Sequence, residues 1–223
     1  MWWSSVLPLR CSAQKKEGSA EESCGSRIEN REPKLQADEN PQEVAPPMTT
    51  KTDQNRNVAA LFLEHSRKIL LEETWPRLRS TVESLSEEQV WWRPNEASNS
   101  IGNLLLHLNG NVRQWIVTSF NRQEDRRDRP AEFEEKAGGS ALDLLAKLGA
   151  TVEEAAAVLS RLTEADLLAP MDIQGYHTNG LAAIYHVVEH FGMHYGQILY
   201  VTKALQGKDL GFYRELNETG RAS

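Results

Sequence analysis

Residues 178–205 read TNGLAAIYHVVEHFGMHYGQILYVTKAL. Ile184, Val188, Phe191, Tyr195, Ile198, Thr202 and Leu205 recur at alternating spacings of four and three, which places them on one side of a long helix. His186, His190 and His194 run beside that seam, each four residues from the next. Side chains four apart on a helix stand one above the other, so the three imidazoles form a column about 12 Å long. Half of the chain's six histidines lie within these nine residues, so the column calls for an explanation. Two readings are open. Histidines at the margin of a core are common, satisfied by hydrogen bonds or water. Two imidazoles one turn apart can also grip one ion, with further ligands from another helix. The HxxxH spacing does not decide between them, because it lacks the glutamate of the HExxH zinc-protease pattern.

The rest of the chain supplies a second amphipathic helix with its own histidine. Ile101, Leu104, Leu105, Leu108, Val112, Trp115 and Ile116 form the apolar face of a helix expected over 98–121, with Ser98 or Ser100 as its N-cap. His107 lies at the margin of that face. It can meet the column across a bundle, and three imidazoles with a position left open are the donor set of a catalytic metal site. His186 or a carboxylate such as Glu189 can complete a fourth position, as can water or substrate. Asn103 and Asn111 flank His107 by one turn and can orient it by hydrogen bonds, although from spacing alone they read as an exposed polar face.

Two further helices complete the pattern. Residues 55–85 carry Val58, Leu61, Phe62, His65, Ile69, Leu78, Val82 and Leu85 on a stripe that passes Pro76, which is expected to kink or split the helix. His65 reads as a core or boundary residue, outside the site. Ser86-Glu87-Glu88-Gln89 resembles a capping start for one short turn. Residues 140–162, opened by Ser140, bury Leu144, Leu145, Leu148, Val152, Ala155, Ala156 and Leu159. The last helix opens at Thr178 or Asn179. No strand alternation is visible, and 163–177 reads as a polar connection. The expected fold is all-α, a four-helix bundle. The long charged connection 122–139 serves as a crossover that leaves helices two and three parallel, giving an up-down-down-up order. Arg126, Arg127 and Arg129 within it read as a solvated cluster, or as guards of a pocket for an anionic ligand.

Composition narrows the chemistry. The formal net charge of the 223 residues is −7, and no helix gathers Lys and Arg, so nucleic acid is not an expected partner. No run reaches the roughly 18 apolar residues of a membrane span. Cys11 and Cys24 are the only cysteines, both near the N-terminus, so a transition metal in the remainder must be held by His, Asp, Glu or water. This fits a reducing, cytoplasmic setting. Residues 1–48 hold five of the nine prolines and, from Cys11 on, no apolar periodicity, which reads as a disordered extension before a domain over 49–223. The opening MWWSSVLPLRC lacks basic residues ahead of a very short apolar part, so a secretory signal is not expected, and Met48 reads as the translation start.

Three stretches, WWRPNEASNSIGNLLLHLNGNVRQWI (91–116), RRDRPAEF (126–133) and HVVEHFGMHYGQILYVTK (186–203), resemble the DinB-like (YfiT-like) superfamily of metal-binding four-helix bundles, and within it a bacterial branch. The resemblance covers roughly 55–206. It implies a divalent metal, zinc first and nickel, iron or manganese as alternatives, on His107, His190 and His194. The implied pair is the one followed by Tyr195-Gly196-Gln197, which makes His186 a neighbour. It further implies a metal-dependent thiol S-transferase acting with a small thiol cofactor, whose carboxylates the crossover arginines can recognise. A metal-dependent hydrolase or a non-catalytic binding bundle is the alternative, and a homodimer is compatible with all of these.

Overall fold

Pro76 shapes the first helix. Its nitrogen has no proton to donate, so an unbroken ladder of helical hydrogen bonds cannot run through it. The computed structural model describes residues 57–137, 139–212 and 214, so the reading of 1–48 lies outside the described residues. The helix meets Pro76 with a π-helical segment, Lys68–Thr74, between α1 (Val58–Arg67) and α2 (Trp75–Glu83). Pro76 thus falls in the first turn of α2, where a missing donor is tolerated. The wide turns also shift the buried face. Leu63, Ser66 and Leu70 are buried before the junction, and Trp75, Leu78 and Val82 after it. A stripe extended at constant pitch falls out of phase, and Val58, Leu61 and His65, read onto it from the sequence, are exposed.

Local signals set the remaining boundaries. Ser86 and Gln89 form a capping box for α3 (Glu87–Trp91), and Ser100 with Asn103 forms another for α4 (Ile101–Val112). α4 continues into a second π-helical segment, Arg113–Thr118. The crossover contains α5 (Arg129–Glu134), capped by Asp128 and with Pro130 in its first turn. α6 (Ala141–Leu159) starts at Ser140, and its expected seam is buried throughout. α8 (Gly180–Gln206) starts at Asn179 and ends at Gly207, whose φ of 63° is the left-handed cap.

The connection before α8 differs from the expected polar loop. It holds α7 (Glu164–Leu168) and an antiparallel hairpin, β1 (Pro170–Ile173) with β2 (Tyr176–Asn179). Gln174 and Gly175 both have positive φ, 55° and 79°, as a two-residue hairpin turn of the primed kind requires. Of the eight strand residues only Ile173 is buried, so no alternation betrays the strands in the sequence.

Trp91 fixes the relative direction of α4 and α6. Its ring packs on Gly102 at the start of α4, where an added Cβ would lie 2.7 Å from a ring carbon. Its Nε1 donates to the carbonyl of Gly139, just before α6. At the other end Arg113 reaches Thr151 and Glu154, and Arg161 bonds Asn121. α4 and α6 therefore begin together and run on together, parallel. α8 opposes α4, because His107 faces His190 while Asn111 faces His186. It finishes beside the end of α2, where Gln206 donates to the Ser84 carbonyl. The order is up, down, down, up. Leu78, Leu105, Leu108, Leu148, Ile184 and Ile198 fill the shared core at 1% exposure or less, each contributing about 1.5–3 kcal/mol by burial.

Candidate metal centre

The antiparallel contact of α4 and α8 brings His107, His190 and His194 together. His190 Nε2 lies 3.0 Å from His107 Nε2 and 3.1 Å from His194 Nε2. One ring nitrogen from each of the three falls within 4.8 Å of the others. The 3.0 and 3.1 Å separations suit neighbouring ligands of one ion at about 2.0–2.1 Å, and the wider outer span closes onto a shared ion by a small rotation of the His107 and His194 rings.

The outer nitrogens decide what the inner ones present. His107 Nδ1 donates to Glu132 Oε2 at 2.8 Å, and His194 Nδ1 donates to Gln197 Oε1 at 2.7 Å. A carboxylate and an amide oxygen can only accept, so both Nδ1 atoms carry the proton and both Nε2 atoms offer lone pairs. His190 Nε2 thus meets two lone pairs, and a proton there serves only one of them. Its Nδ1 is buried with no hydrogen-bond partner among the described residues. Convergent lone pairs repel one another, and a cation at their centre reverses the sign. The donor set fits a metal ion.

Burial keeps the cluster neutral, the form in which imidazole binds metals. It lowers the pKa of His190 to about 2, helped by the neighbouring His194 and His107, and that of His194 to about 4. His107 is also lowered by burial, although its hydrogen bond to Glu132 pulls the other way. Burial works to raise the pKa of Glu132, but hydrogen bonds from Arg127 and His107 outweigh it and hold the carboxyl below its usual range.

His186 stands apart from the three. Its Nε2 faces the side-chain nitrogen of Asn111 at 3.0 Å, its ring lies 4.2 Å from that of Trp115, and burial lowers its pKa to about 4. Glu189 is exposed. Asn103 and Asn111 are both buried, contrary to the polar-face expectation. Neither is hydrogen-bonded to the His107 ring. Asn111 serves His186, and Asn103 donates to the carbonyls of Glu132 and Glu135, tying the crossover to α4.

The crossover arginines divide into three roles. Arg126 points outward to Glu124. The side chain of Arg127 is buried, with Nε donating to Glu132 Oε1 at 2.7 Å, Nη2 to Oε2 at 2.9 Å and Nη1 to Gln114 at 2.8 Å, so it is committed to the protein. Arg129 lies over Phe133, whose ring lies 4.7 Å from that of His107. Sequence reasoning missed Glu132, one acid among Glu132, Glu134 and Glu135. The available signal was Asp128 and Pro130 opening a helix, which sets Arg129, Glu132 and Phe133 on one face.

The family model of the DinB superfamily matches residues 70–198. The chain belongs to the DinB superfamily. Its fold is shared with solved structures of low sequence identity. A conserved protein from Enterococcus faecalis is 18% identical with a TM-score of 0.56, covering 69% of this chain and 99% of its own. DinB-like proteins from Bacillus cereus and Bacillus subtilis are 14% and 20% identical, each with a TM-score of 0.51. They cover 65% and 69% of this chain, and 90% and 97% of their own. No curated protein matches. A DinB-superfamily bundle with a three-histidine group able to hold a metal ion is therefore what sequence family and geometry together give.

Proposed function

We propose that this DinB-superfamily chain is a metal-dependent enzyme, in the first place a thiol S-transferase, with one divalent ion, zinc foremost, on His107, His190 and His194. The observation that carries this reading is the convergence of three neutral Nε2 atoms with lone pairs on at least two of them. Three imidazoles suit zinc, nickel or iron, and a three-ligand set keeps a position open for a small molecule. When bound, such an ion supplies the charge that lowers the pKa of a thiol and makes it a nucleophile at neutral pH.

The chain's own residues supply orientation and access. Glu132 and Gln197 hold the protons of His107 and His194 on Nδ1, and half-buried His194 leaves one side of the group reachable. Phe133 walls His107, and the Arg129 guanidinium above it has no carboxylate partner among the described residues. That cation suits the carboxylate of a small thiol cofactor.

Metal analysis of the purified protein beside His107→Ala and His190→Ala tests the ligand set. One ion per chain is expected, with loss in each variant; unchanged metal content in the variants refutes the assignment. Turnover of a small thiol with an electrophile is then assayed across a panel of both. Hydrolysis of esters or amides without thiol turnover would replace the transferase by a metal-dependent hydrolase, in which the ion activates water. Neither activity would leave a binding bundle.

A further inference from the structure

Glu132 belongs to the crossover, yet its carboxylate side chain is 9% exposed and both oxygens are engaged. We infer that Glu132, held by Arg127, is the positioning residue of the metal centre: it fixes the His107 proton on Nδ1 and so turns the Nε2 lone pair toward His190 and His194. This rests on the metal-holding reading of the three histidines. A neutral imidazole can carry its proton on either nitrogen, and with the proton on Nε2 His107 offers nothing to an ion there. Arg127 Nη2 also lies 3.1 Å from His107 Nδ1, but the Glu132 carboxylate is closer at 2.8 Å. That carboxylate can only accept and takes the Nη2 proton itself at 2.9 Å, so the imidazole proton is held on Nδ1. Arg127 in turn neutralises the buried carboxylate through two parallel bonds, which keeps Glu132 an acceptor.

α4 is shaped to admit this pair. Gly110 lies one turn beyond His107 on the same face. A Cβ there would stand 2.0 Å from Glu132 Oε1 and 2.7 Å from Arg127 Nε. Glycine inside a helix weakens it relative to alanine, and here the missing methyl is the space the ion pair occupies. Asn103, one turn before His107, holds the Glu132 carbonyl at 2.9 Å. Residues 103, 107 and 110 thus form one face that receives α5, and the metal site is built from three segments: α4, α8 and the crossover.

The test uses the full chain, with zinc affinity read by competition against a chelator and the His107 tautomer read by nitrogen-15 NMR of the metal-free protein. Glu132→Gln keeps an accepting oxygen, Glu132→Leu fills the space and accepts nothing, and Gly110→Ala displaces the pair with every ligand intact. Glu132→Leu is expected to weaken zinc about 10–100-fold and to lose the single His107 tautomer. Glu132→Gln should recover part of that loss. Gly110→Ala should approach the Leu variant, and the double variant Gly110→Ala/Glu132→Leu should lose no more than Glu132→Leu alone. Equal losses for Gln and Leu would mean that Glu132 serves packing only and would overturn the role. So would a Leu variant that binds zinc within about twofold of wild type with an unchanged tautomer. If Glu132→Leu fails to fold, Gly110→Ala carries the same comparison. His107→Ala separates the two ideas: zinc lost there but kept in Glu132→Leu refutes the positioning role alone. If the wild type takes no zinc, the metal reading falls and the tautomer spectrum decides the role of Glu132.

Discussion

Replacing Asn103 by alanine should destabilise the protein more than any exposed polar change. The side chain is 0% exposed and sits at a crossroads. Its oxygen accepts from Ser100 N at 3.1 Å, Ser100 Oγ at 2.7 Å and Arg93 Nη2 at 3.0 Å. Its nitrogen donates to the carbonyls of Glu132 at 2.9 Å and Glu135 at 2.8 Å. Intramolecular hydrogen bonds are worth about 0.5–1.5 kcal/mol each, and a buried group left without a partner costs about 1–3 kcal/mol. Arg93 also bonds the Glu135 carbonyl, so it is not left alone. The expected loss is therefore about 3–5 kcal/mol, below the full sum. Urea denaturation of the variant measures it. Hydrogen exchange should show α5 losing protection first, because the Glu132 carbonyl loses its Asn103 donor and the Glu135 carbonyl keeps only Arg93. Asn103→Asp keeps the acceptor but sets a second oxygen against the Glu132 and Glu135 carbonyls, so it should lose at least as much as alanine. A loss under about 1 kcal/mol for Asn103→Ala, with α5 still protected, would refute the reasoning.

His186→Ala should leave metal content at the wild-type level, since its Nε2 faces Asn111, while lowering stability by about 1–3 kcal/mol as Asn111 loses its partner; metal analysis and melting curves check both halves. The metal-free protein should weaken in acid. His186 and His190 have folded pKa values lowered to about 4 and about 2, so above pH 6.5 neither state binds protons, and below it only the unfolded chain does. Each then removes about 1.4 kcal/mol of stability per pH unit until its folded pKa is reached. A urea midpoint unchanged from pH 7 to pH 5 would contradict this. Adding zinc at a hundred times its dissociation constant should stabilise the fold by about 2.7 kcal/mol, and a chelator should reverse the rise in melting temperature.

Helices with one constant pitch were readable from the sequence. α6 and α8 keep their apolar seams without interruption, and their ends carry Ser140, Asn179 and Gly207, whose side chains or freedom of φ act locally. The first helix was less so, because a π-helical segment resets the phase and no residue in Lys68–Thr74 announces it. Three histidines on two amphipathic helices suggested a centre because HxxxH is a local pattern. The roles of Glu132, Arg127 and Asn103 were not legible for the opposite reason: Asp128 and Pro130 announce α5 but not where it docks. Their burial depends on a bare spot at Gly110 and on where the crossover lands, which are tertiary facts. Nothing in RRDRPAEF separates the buried Arg127 from the exposed Arg126 except the partner each meets.

The meeting of α4 and α8 also carries a consequence in time. His107 and His190 are 83 residues apart in the chain, and the crossover and α6 lie between them. A contact of such separation forms only after a large loop has closed, which slows it relative to local structure. A newly made chain therefore holds His107 long before its partners exist, and an ion arriving early meets at most the His190–His194 pair of a single helix. An ion held by all three imidazoles, as proposed above, would therefore report closure of the bundle.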